Sequence, residues 1–191
     1  MRTTAALTFA RALLLRSLGP GDVAVDATAG NGNDALALAE RVAPDGVVHC
    51  FDIQAKALER TRQRLAGAGL DHLAQFHAAG HERMLDCLPR AHHGRVGAVV
   101  FNLGYLPGGD ERIVTGPETT LAALKAAQAA LAPDGLIAVV CYTGHAGGAH
   151  EAAQVADWCA KLDFTSWRAA RYEVVNKPGN PIVAYVIERR A

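Results

Sequence analysis

Short apolar runs alternate with longer amphipathic segments along most of this chain. The runs have the length of buried strands and end at turn formers such as Gly, Pro, Asp and Asn. They predict strands at residues 22–26, 47–52, 73–76, 96–102 and 136–142. Apolar positions at helical spacing predict helices before and between them, at residues 4–18, 33–42, 54–66, 81–88, 117–132 and 148–162. Two further strands, at residues 165–175 and 182–189, are joined by the turn-rich segment NKPGNP.

The alternation of strands and helices predicts an α/β fold. Parallel strands need a crossover connection, so we expect a doubly wound, mostly parallel sheet with helices on both faces. No helix separates the last two strands, which should therefore pair as an antiparallel hairpin. No linker or repeat is visible, and we expect one domain over residues 1–191. Ligands bind such sheets at the carboxyl ends of the strands, where Asp26, Asp52, Asn102 and Tyr142 fall.

Composition and charge narrow the classes of function. Half of the residues are hydrophobic, which is enough for a large core. Nineteen basic residues balance nineteen acidic ones, so a nucleic-acid partner would need a local basic patch. Arg60, Arg62 and Arg64 form one candidate patch, and the basic residues between positions 168 and 190 form another. Ordinary solvated surfaces explain either group equally well.

The cysteines and the apolar runs indicate the compartment. The four cysteines are widely spaced and lack a C-x-x-C pair, which favours reduced thiols and argues against a zinc site. The N-terminal apolar run is too short for a signal sequence, and no run reaches the length of about eighteen residues that a membrane helix needs. We therefore expect a cytoplasmic protein that does not contact membranes.

The segment DATAGNGND, residues 26–34, joins the first strand to the next helix through two glycines. Glycine lets backbone N–H groups approach a ligand closely, and the start of a helix follows. Two cofactors compete for this loop. The pattern Gly30-x-Gly32-x-x-Ala35, with Asp52 about twenty residues beyond it, is typical of NAD sites.

The spacing of the loop favours S-adenosylmethionine instead. An acid and three further residues precede Gly30, and the carboxylate of Asp26 would repel a pyrophosphate but attract an ammonium and a sulfonium. Asp26 would lie near the methionine end, and Asp52 would accept hydrogen bonds from both ribose hydroxyls. Capping a turn or helix explains either acid alone but not both. His81 follows the third strand, where adenine is commonly contacted; a histidine at a helix start is an equal alternative.

The segment FNLGYLPGGD, residues 101–110, places an Asn, a Tyr and an Asp at the end of the fourth strand. It resembles the N-P-P-Y element of amine-directed methyltransferases, with Leu and Gly in place of the two prolines. In that element the Asn side chain and the next carbonyl accept hydrogen bonds from the target amine, and the aromatic ring stacks on the base. Asp110 or His145 could take the surplus proton. A turn role for Asn102 and a core role for Tyr105 are the alternatives.

Five segments together resemble the YtqB-like family of rRNA methylases: DATAGNGND, FNLGYLPGGD, IVTGPETT, YTGHAGGAHE and NKPGNP. The resemblance spans nearly the whole chain from Ala24 onward. It implies the class I methyltransferase fold, S-adenosylmethionine as cofactor and a homodimer. Family members include the tRNA methyltransferase that converts 5-aminomethyl-2-thiouridine at the wobble position to its methylaminomethyl form. We expect that activity on tRNA; rRNA or a small amine as acceptor, and NAD-dependent oxidation, are the alternatives.

The resemblance also implies roles for individual residues. On the cofactor side it implies Asp26, Thr28, Gly30, Asn31, Gly32, Asp34, Asp52, Gln54, His81 and Asn102. On the substrate side it implies Asn102, Tyr105, Leu106, Pro107, Gly108, Asp110, Thr115, Tyr142, His145 and Asn180. It implies no RNA footprint, because this chain uses Arg and Ala where the family uses Lys-rich surfaces.

Overall fold

The computed structural model describes residues 5–179 and 182–190. Its helices are α1 (Ala6–Leu14), α2 (Asn33–Val42), α3 (Ala55–Gly67), α4 (Met84–Cys87), α5 (Pro117–Ala130) and α6 (Gly148–Ala160). Its strands are β1 (Val23–Asp26), β2 (Val47–Phe51), β3 (Ala74–His77), β4 (Val96–Leu103), β5 (Leu131–Tyr142), β6 (Trp167–Glu173) and β7 (Ile182–Arg189). The predicted order of helices and strands is confirmed over these residues. The predicted helix start at Thr4 and the site residue Asn180 lie outside them.

The strands in this part of the chain form one seven-stranded sheet in the order β3-β2-β1-β4-β5-β7-β6. The first five strands pair in parallel, whereas β7 pairs antiparallel with both β5 and β6. This confirms the doubly wound α/β fold with an antiparallel C-terminal hairpin. The strand order reverses at the β1–β4 pair, which is where ligands bind in open sheets of this kind.

The two faces of the sheet carry separate hydrophobic clusters. One cluster packs Phe101 of the sheet against Leu124 of α5 and Val155 of α6. The other contains Leu14 of α1 and Leu38 of α2. Because helices cover both faces, the inner strands β1, β2, β4, β5 and β7 are mostly buried and apolar, whereas the edge strands β3 and β6 are more exposed.

Two strands begin two or more residues away from their predicted starts. β5 begins at Leu131, five residues before the predicted start at 136, because the pairing of β4 skips from Val96↔Leu131 to Ala98↔Leu136. The intervening Pro-Asp-Gly turn bulges out of the strand with a φ of 60° at Asp134. β6 begins at Trp167 instead of 165, because the Asp163 carboxylate accepts hydrogen bonds from the backbone and hydroxyl of Thr165 and holds a turn there.

The described residues contain no helix long and apolar enough to cross a membrane. Over the same ranges, no group of His, Cys, Asp or Glu side chains is arranged to hold a metal ion. All four cysteines are free, and Cys50, Cys141 and Cys159 are buried.

Candidate functional site

A cavity of about 670 Å³ opens at the carboxyl ends of β1, β2, β4 and β5. The loops that follow these strands form most of the lining, and Leu7 and Arg11 of α1 contribute to it. The structure brings most of the predicted site residues into this lining. They are Thr28, Gly30, Asn31, Asp34, Asp52, Gln54, His81, Asn102, Tyr105, Leu106, Pro107, Thr115, Tyr142 and His145. Among the described residues, the predicted Asp26, Gly32, Gly108 and Asp110 lie outside it.

The two glycines of the β1–α2 loop have different roles. Both have a positive φ, 54° at Gly30 and 76° at Gly32, so each favours glycine. Gly30 lines the cavity. A Cβ at Gly32 would lie 2.8 Å from the Cα of Thr61, so this glycine allows the loop to pack against α3. Only one of the two glycines, Gly30, therefore lets the loop backbone come close to a ligand in the cavity.

Asp52, at the end of β2, is held by backbone donors. Its Oδ2 accepts a hydrogen bond of 3.0 Å from the N–H of Gly30, and its Oδ1 accepts one of 2.8 Å from the N–H of Gln54. Burial raises the pKa of Asp52, and these bonds oppose that effect. Each oxygen keeps a second lone pair, so the carboxylate can still accept from a diol. Because the Gly30 N–H is already bound to Asp52, it is not free for a pyrophosphate oxygen, which disfavours NAD.

Two further carboxylates flank the same loop and are buried: Asp26 ends β1, and Asp34 lies in the first turn of α2. Burial, and secondly the charge of Asp34, raise the pKa of Asp26 to about 8. The Oδ2 of Asp26 has no hydrogen-bond partner among the described residues. Its Oδ1 accepts a hydrogen bond of 3.2 Å from the N–H of Thr28. A buried carboxylate with one oxygen left unpartnered is stabilised by a cation, so this group fits a ligand that carries an ammonium or sulfonium.

His81 is buried at the start of the 3-10 turn after β3. Its ring lies edge-on to Phe101, with the ring centroids 5.7 Å apart. Burial lowers the pKa of His81, so the imidazole is neutral at pH 7. A neutral ring in the lining suits contact with an uncharged aromatic group.

Asn102, near the end of β4, is fixed by the β1–α2 loop. Its backbone N–H donates to the hydroxyl oxygen of Thr28 at 2.8 Å, and its Nδ2 donates to Oδ2 of Asp34 at 2.8 Å. The remaining group, Oδ1, is buried and accepts no hydrogen bond within residues 5–179 and 182–190. Asn102 is therefore an acceptor held in one orientation at the cavity wall.

Tyr105 and His145 lie together in the lining that also contains Asn102. Their rings are 6.1 Å apart in an edge-to-face arrangement, and Tyr105 is 42% exposed. The Nδ1 of His145 lies 3.0 Å from the carbonyl oxygen of Ala146. A carbonyl only accepts, so Nδ1 carries the proton and Nε2 carries a lone pair. That Nε2 is buried and has no partner in the described part of the chain.

Asp110, predicted as a candidate base, lies outside the cavity lining. Its carboxylate forms an ion pair of 2.7 Å with Arg112, and these hydrogen bonds lower its pKa. A carboxylate so paired and outside the lining has little capacity to accept a proton from the cavity. Of the two candidate bases, His145 is the one that lines the same cavity as Asn102.

Several residues that hold the site were not anticipated from the sequence. Arg60 on α3 donates to Oδ1 of Asn31 at 2.9 Å and to the carbonyl of Gly108 at 3.0 Å, joining the β1–α2 loop to the loop after β4. Arg64 donates to the Asn31 carbonyl at 2.7 Å, and Arg62 stacks on Phe76. The candidate basic patch on α3 is thus engaged in holding the fold. No local pattern in the sequence signals these bonds.

The chain is similar to known proteins over most of its length. Residues 48–188 match the family described as "Putative rRNA methylase". A chloroplastic tRNA (mnm(5)s(2)U34)-methyltransferase of Arabidopsis thaliana is 38% identical over 177 residues, which are 88% of this chain and 64% of that protein. This chain therefore spans slightly less than two thirds of that relative.

Two solved structures cover nearly the whole chain. A "putative rRNA-methylase" of Clostridium thermocellum superposes with a TM-score of 0.94 at 35% identity, covering 99% of this chain and 100% of that one. A "putative methyltransferase" of Streptococcus mutans, in complex with S-adenosylhomocysteine (SAH), has a TM-score of 0.88 at 29% identity and covers 98% and 99% of the two chains.

Proposed function

The chain belongs to the rRNA methylase family and is a methyltransferase that uses S-adenosylmethionine, and we propose that its acceptor is an alkylamine of tRNA. The specific acceptor proposed is the aminomethyl group of 5-aminomethyl-2-thiouridine at the wobble position. The name of the Arabidopsis relative supports this choice, and so does the chemistry of Asn102. The oxidoreductase alternative finds no support in these relatives.

The residues around the β1–α2 loop fit S-adenosylmethionine. When bound, the cofactor supplies an electrophilic methyl group on a sulfonium sulfur. Asp52 would hold the ribose hydroxyls, His81 would contact the adenine, and the buried carboxylate of Asp26 would neutralise the ammonium. The buried and unpartnered Oδ2 of Asp26 is the observation that supports this fit.

The observation that carries the proposed acceptor is the unpaired Oδ1 of Asn102 in the cavity wall. An amine nucleophile must present its lone pair to a methyl group while its N–H bonds face acceptors. Asn102 Oδ1 accepts one N–H, and the main-chain carbonyl of Leu103 is the next acceptor along the strand. Positioning of this kind supplies much of the acceleration in a displacement at carbon.

His145 is suited to remove the surplus proton. An aminomethyl group is largely protonated near neutral pH and reacts only as the free amine. The Nε2 lone pair of His145, whose ring is held by the Nδ1 hydrogen bond to Ala146, is the unoccupied base in the lining that also contains Asn102. His145 accepts the proton there as general base.

The mouth of the cavity is suited to a nucleobase. Four exposed hydrophobic side chains line it: Ile53, Tyr105, Ile113 and Val114. A flipped-out base stacks on such surfaces, and aromatic stacking is the common means of holding an unpaired nucleotide. Lys177, from the β6–β7 connection, also lines the cavity and places a positive charge where a phosphate would pass.

The test is methylation by the purified protein with radiolabelled S-adenosylmethionine. The acceptors are tRNA that carries 5-aminomethyl-2-thiouridine, unmodified tRNA, rRNA and the free nucleoside, with products identified by nucleoside mass spectrometry. We expect label in the methylaminomethyl nucleoside of the first acceptor. Label in rRNA alone, or in the free nucleoside as readily as in tRNA, would show that the acceptor is wrong.

The role of Asn102 is tested in the same assay. Asn102→Ala should reduce turnover by on the order of 100-fold while SAH binding, measured by calorimetry, is retained. Asn176→Ala, an exposed asparagine outside the lining, is the matched control. Turnover by Asn102→Ala at the wild-type rate would remove Asn102 from the reaction.

A further inference from the structure

The N-terminal helix α1 reaches the active site, although it precedes the residues 48–188 that match the family. Leu7 and Arg11 of this helix line the cavity. The ring of Phe9 stacks on Tyr172 of β6 with centroids 4.1 Å apart, which anchors the helix to the edge of the sheet. The position of Arg11 is therefore set by packing at a distance from the reacting groups.

Arg11 and Asn102 share one carboxylate. The Nε of Arg11 donates to Oδ1 of Asp34 at 2.6 Å, and the Nδ2 of Asn102 donates to Oδ2 of the same residue at 2.8 Å. The side chain of Asp34 is 8% exposed and that of Arg11 is 31% exposed. Both oxygens of Asp34 are thus engaged, one by a cation from α1 and one by the amide on β4.

The chemistry of a carboxylate determines how the amide of Asn102 is turned. A carboxylate only accepts hydrogen bonds, so Asn102 must present its nitrogen to Asp34 and leave its oxygen free. Rotation of the amide by half a turn would set its oxygen against the carboxylate. The amide nitrogen would then face the substrate amine, donor against donor, and the site would lose its acceptor.

We propose that Arg11 and Asp34 are positioning residues that hold the Asn102 amide with Oδ1 available to the substrate amine. The proposal rests on the acceptor role given to Asn102 above. Arg11 fixes the carboxylate of Asp34 in one rotamer, and Asp34 fixes the amide. Arg11 also offsets the repulsion between Asp34 and the neighbouring Asp26, which would otherwise turn the Asp34 side chain away from Asn102.

Kinetics of single and double variants test this chain of contacts from Arg11 through Asp34 to Asn102, which we call the relay. Arg11→Met and Asp34→Asn should each lower kcat by on the order of 10- to 100-fold, with the KM for tRNA and the Kd for SAH within about threefold of wild type. Because the two residues act through one amide, the double variant should be no slower than Asp34→Asn alone. Arg11→Lys, which keeps the charge, should recover part of the loss.

The control is Arg16→Met, which removes an exposed arginine from the turn after α1, outside the cavity lining. It should leave kcat unchanged. Multiplicative losses in the double variant, or a loss confined to KM or to SAH affinity, would show that Arg11 contacts a ligand directly and would overturn the relay. Melting temperatures and SAH binding confirm that each variant is folded.

A second measurement needs no substrate. In a ¹⁵N-labelled protein, the side-chain NH₂ resonance of Asn102 is identified by its absence from Asn102→Ala. We expect Arg11→Met and Asp34→Asn to shift it and Arg16→Met to leave it in place. An unmoved resonance in Arg11→Met overturns the relay. If the resonance responds as expected but no aminomethyl tRNA is methylated by the wild type, the relay stands and the proposed acceptor is wrong.

Discussion

The hydroxyl of Thr115 donates a hydrogen bond of 2.7 Å to the carboxylate of Glu151, a buried residue on α6. Thr115 closes the segment 104–115 that follows β4, which we call the substrate loop. Its N–H donates to the carbonyl of Gly104 at 2.9 Å, and a bridge between Tyr105 and Val114 completes a small hairpin. Glu151 therefore ties this hairpin to the body of the protein.

Replacement of Glu151 should loosen the substrate loop. The Glu151 carboxylate also accepts from Thr120 at 2.6 Å, so Glu151→Ala leaves two hydroxyls without their acceptor. We expect a loss of about 1–3 kcal/mol in the free energy of unfolding. We also expect a higher KM for tRNA and an unchanged SAH affinity.

Urea denaturation measures the stability of Glu151→Ala, calorimetry its SAH affinity and the methylation assay its KM. Glu118→Gln, on the exposed surface of α5, is the control, and an unchanged KM in Glu151→Ala would contradict the tie.

Much of the fold was predictable because its signals are local. Apolar runs, glycine turns and the absence of a helix before β7 predicted the order of the strands along the chain and the antiparallel pairing of the last two. They did not predict the spatial order of the strands in the sheet. The placement of Asp52 and Asn102 in one cavity was also predictable, since parallel strands bring their carboxyl ends to one edge of the sheet. The role of Glu151 was not, because its partner Thr115 is 36 residues away. Both residues lie in segments of the family resemblance, but neither segment indicates that the two side chains are hydrogen-bonded. The bulge at Asp134 was not predictable, because a Pro-Asp-Gly sequence is equally typical of a turn between a helix and a strand.

The Gly32 position should not tolerate a side chain. A Cβ there would lie 2.8 Å from the Cα of Thr61, and the φ of 76° is unfavourable for any L-residue. Gly32→Ala should cost about 1–3 kcal/mol of unfolding free energy. Gly67→Ala is the matched control, since a Cβ at this exposed end of α3 meets no atom of the described residues within 4 Å. It should stabilise the helix by up to about 1 kcal/mol, and equal melting temperatures for both variants would refute the contact.

Binding of SAH should become tighter as the pH rises from 6 to 8. The pKa of Asp26 in the free protein is raised to about 8 by burial and by Asp34, so at lower pH this carboxyl holds a proton. A bound ammonium favours the ionised form, so binding releases the proton and the Kd falls by up to about tenfold per pH unit. The trend ends near pH 8, where Asp26 is ionised before binding.

Calorimetry over this pH range measures the effect on SAH binding. Asp26→Asn should bind more weakly and show little pH dependence, while Asp71→Asn, an exposed acid remote from the lining, should follow the wild type. Superimposable curves for the wild type and Asp26→Asn would show that Asp26 does not meet the ammonium.

Three histidines outside the cavity should make the protein sensitive to acid. The Nδ1 of buried His49 lies 3.0 Å from Nε2 of His77, and its Nε2 lies 2.8 Å from Nδ1 of His92. Burial, followed by the charges of His77 and His92, lowers the pKa of His49 from 6.5 to about 3. Above pH 6.5 the ring is neutral in both the folded and the unfolded state and contributes no pH dependence.

Between pH 6.5 and about 3, His49 is protonated in the unfolded chain but remains neutral in the folded protein. Stability therefore falls with decreasing pH by up to about 1.4 kcal/mol per pH unit for this residue. His49→Gln can still donate and accept hydrogen bonds but cannot be protonated, so it should show a shallower decline in urea unfolding between pH 7 and pH 5. His72→Gln, at an exposed position, should keep the wild-type slope. Identical slopes for the wild type and His49→Gln would mean that the buried ring does not govern the loss of stability.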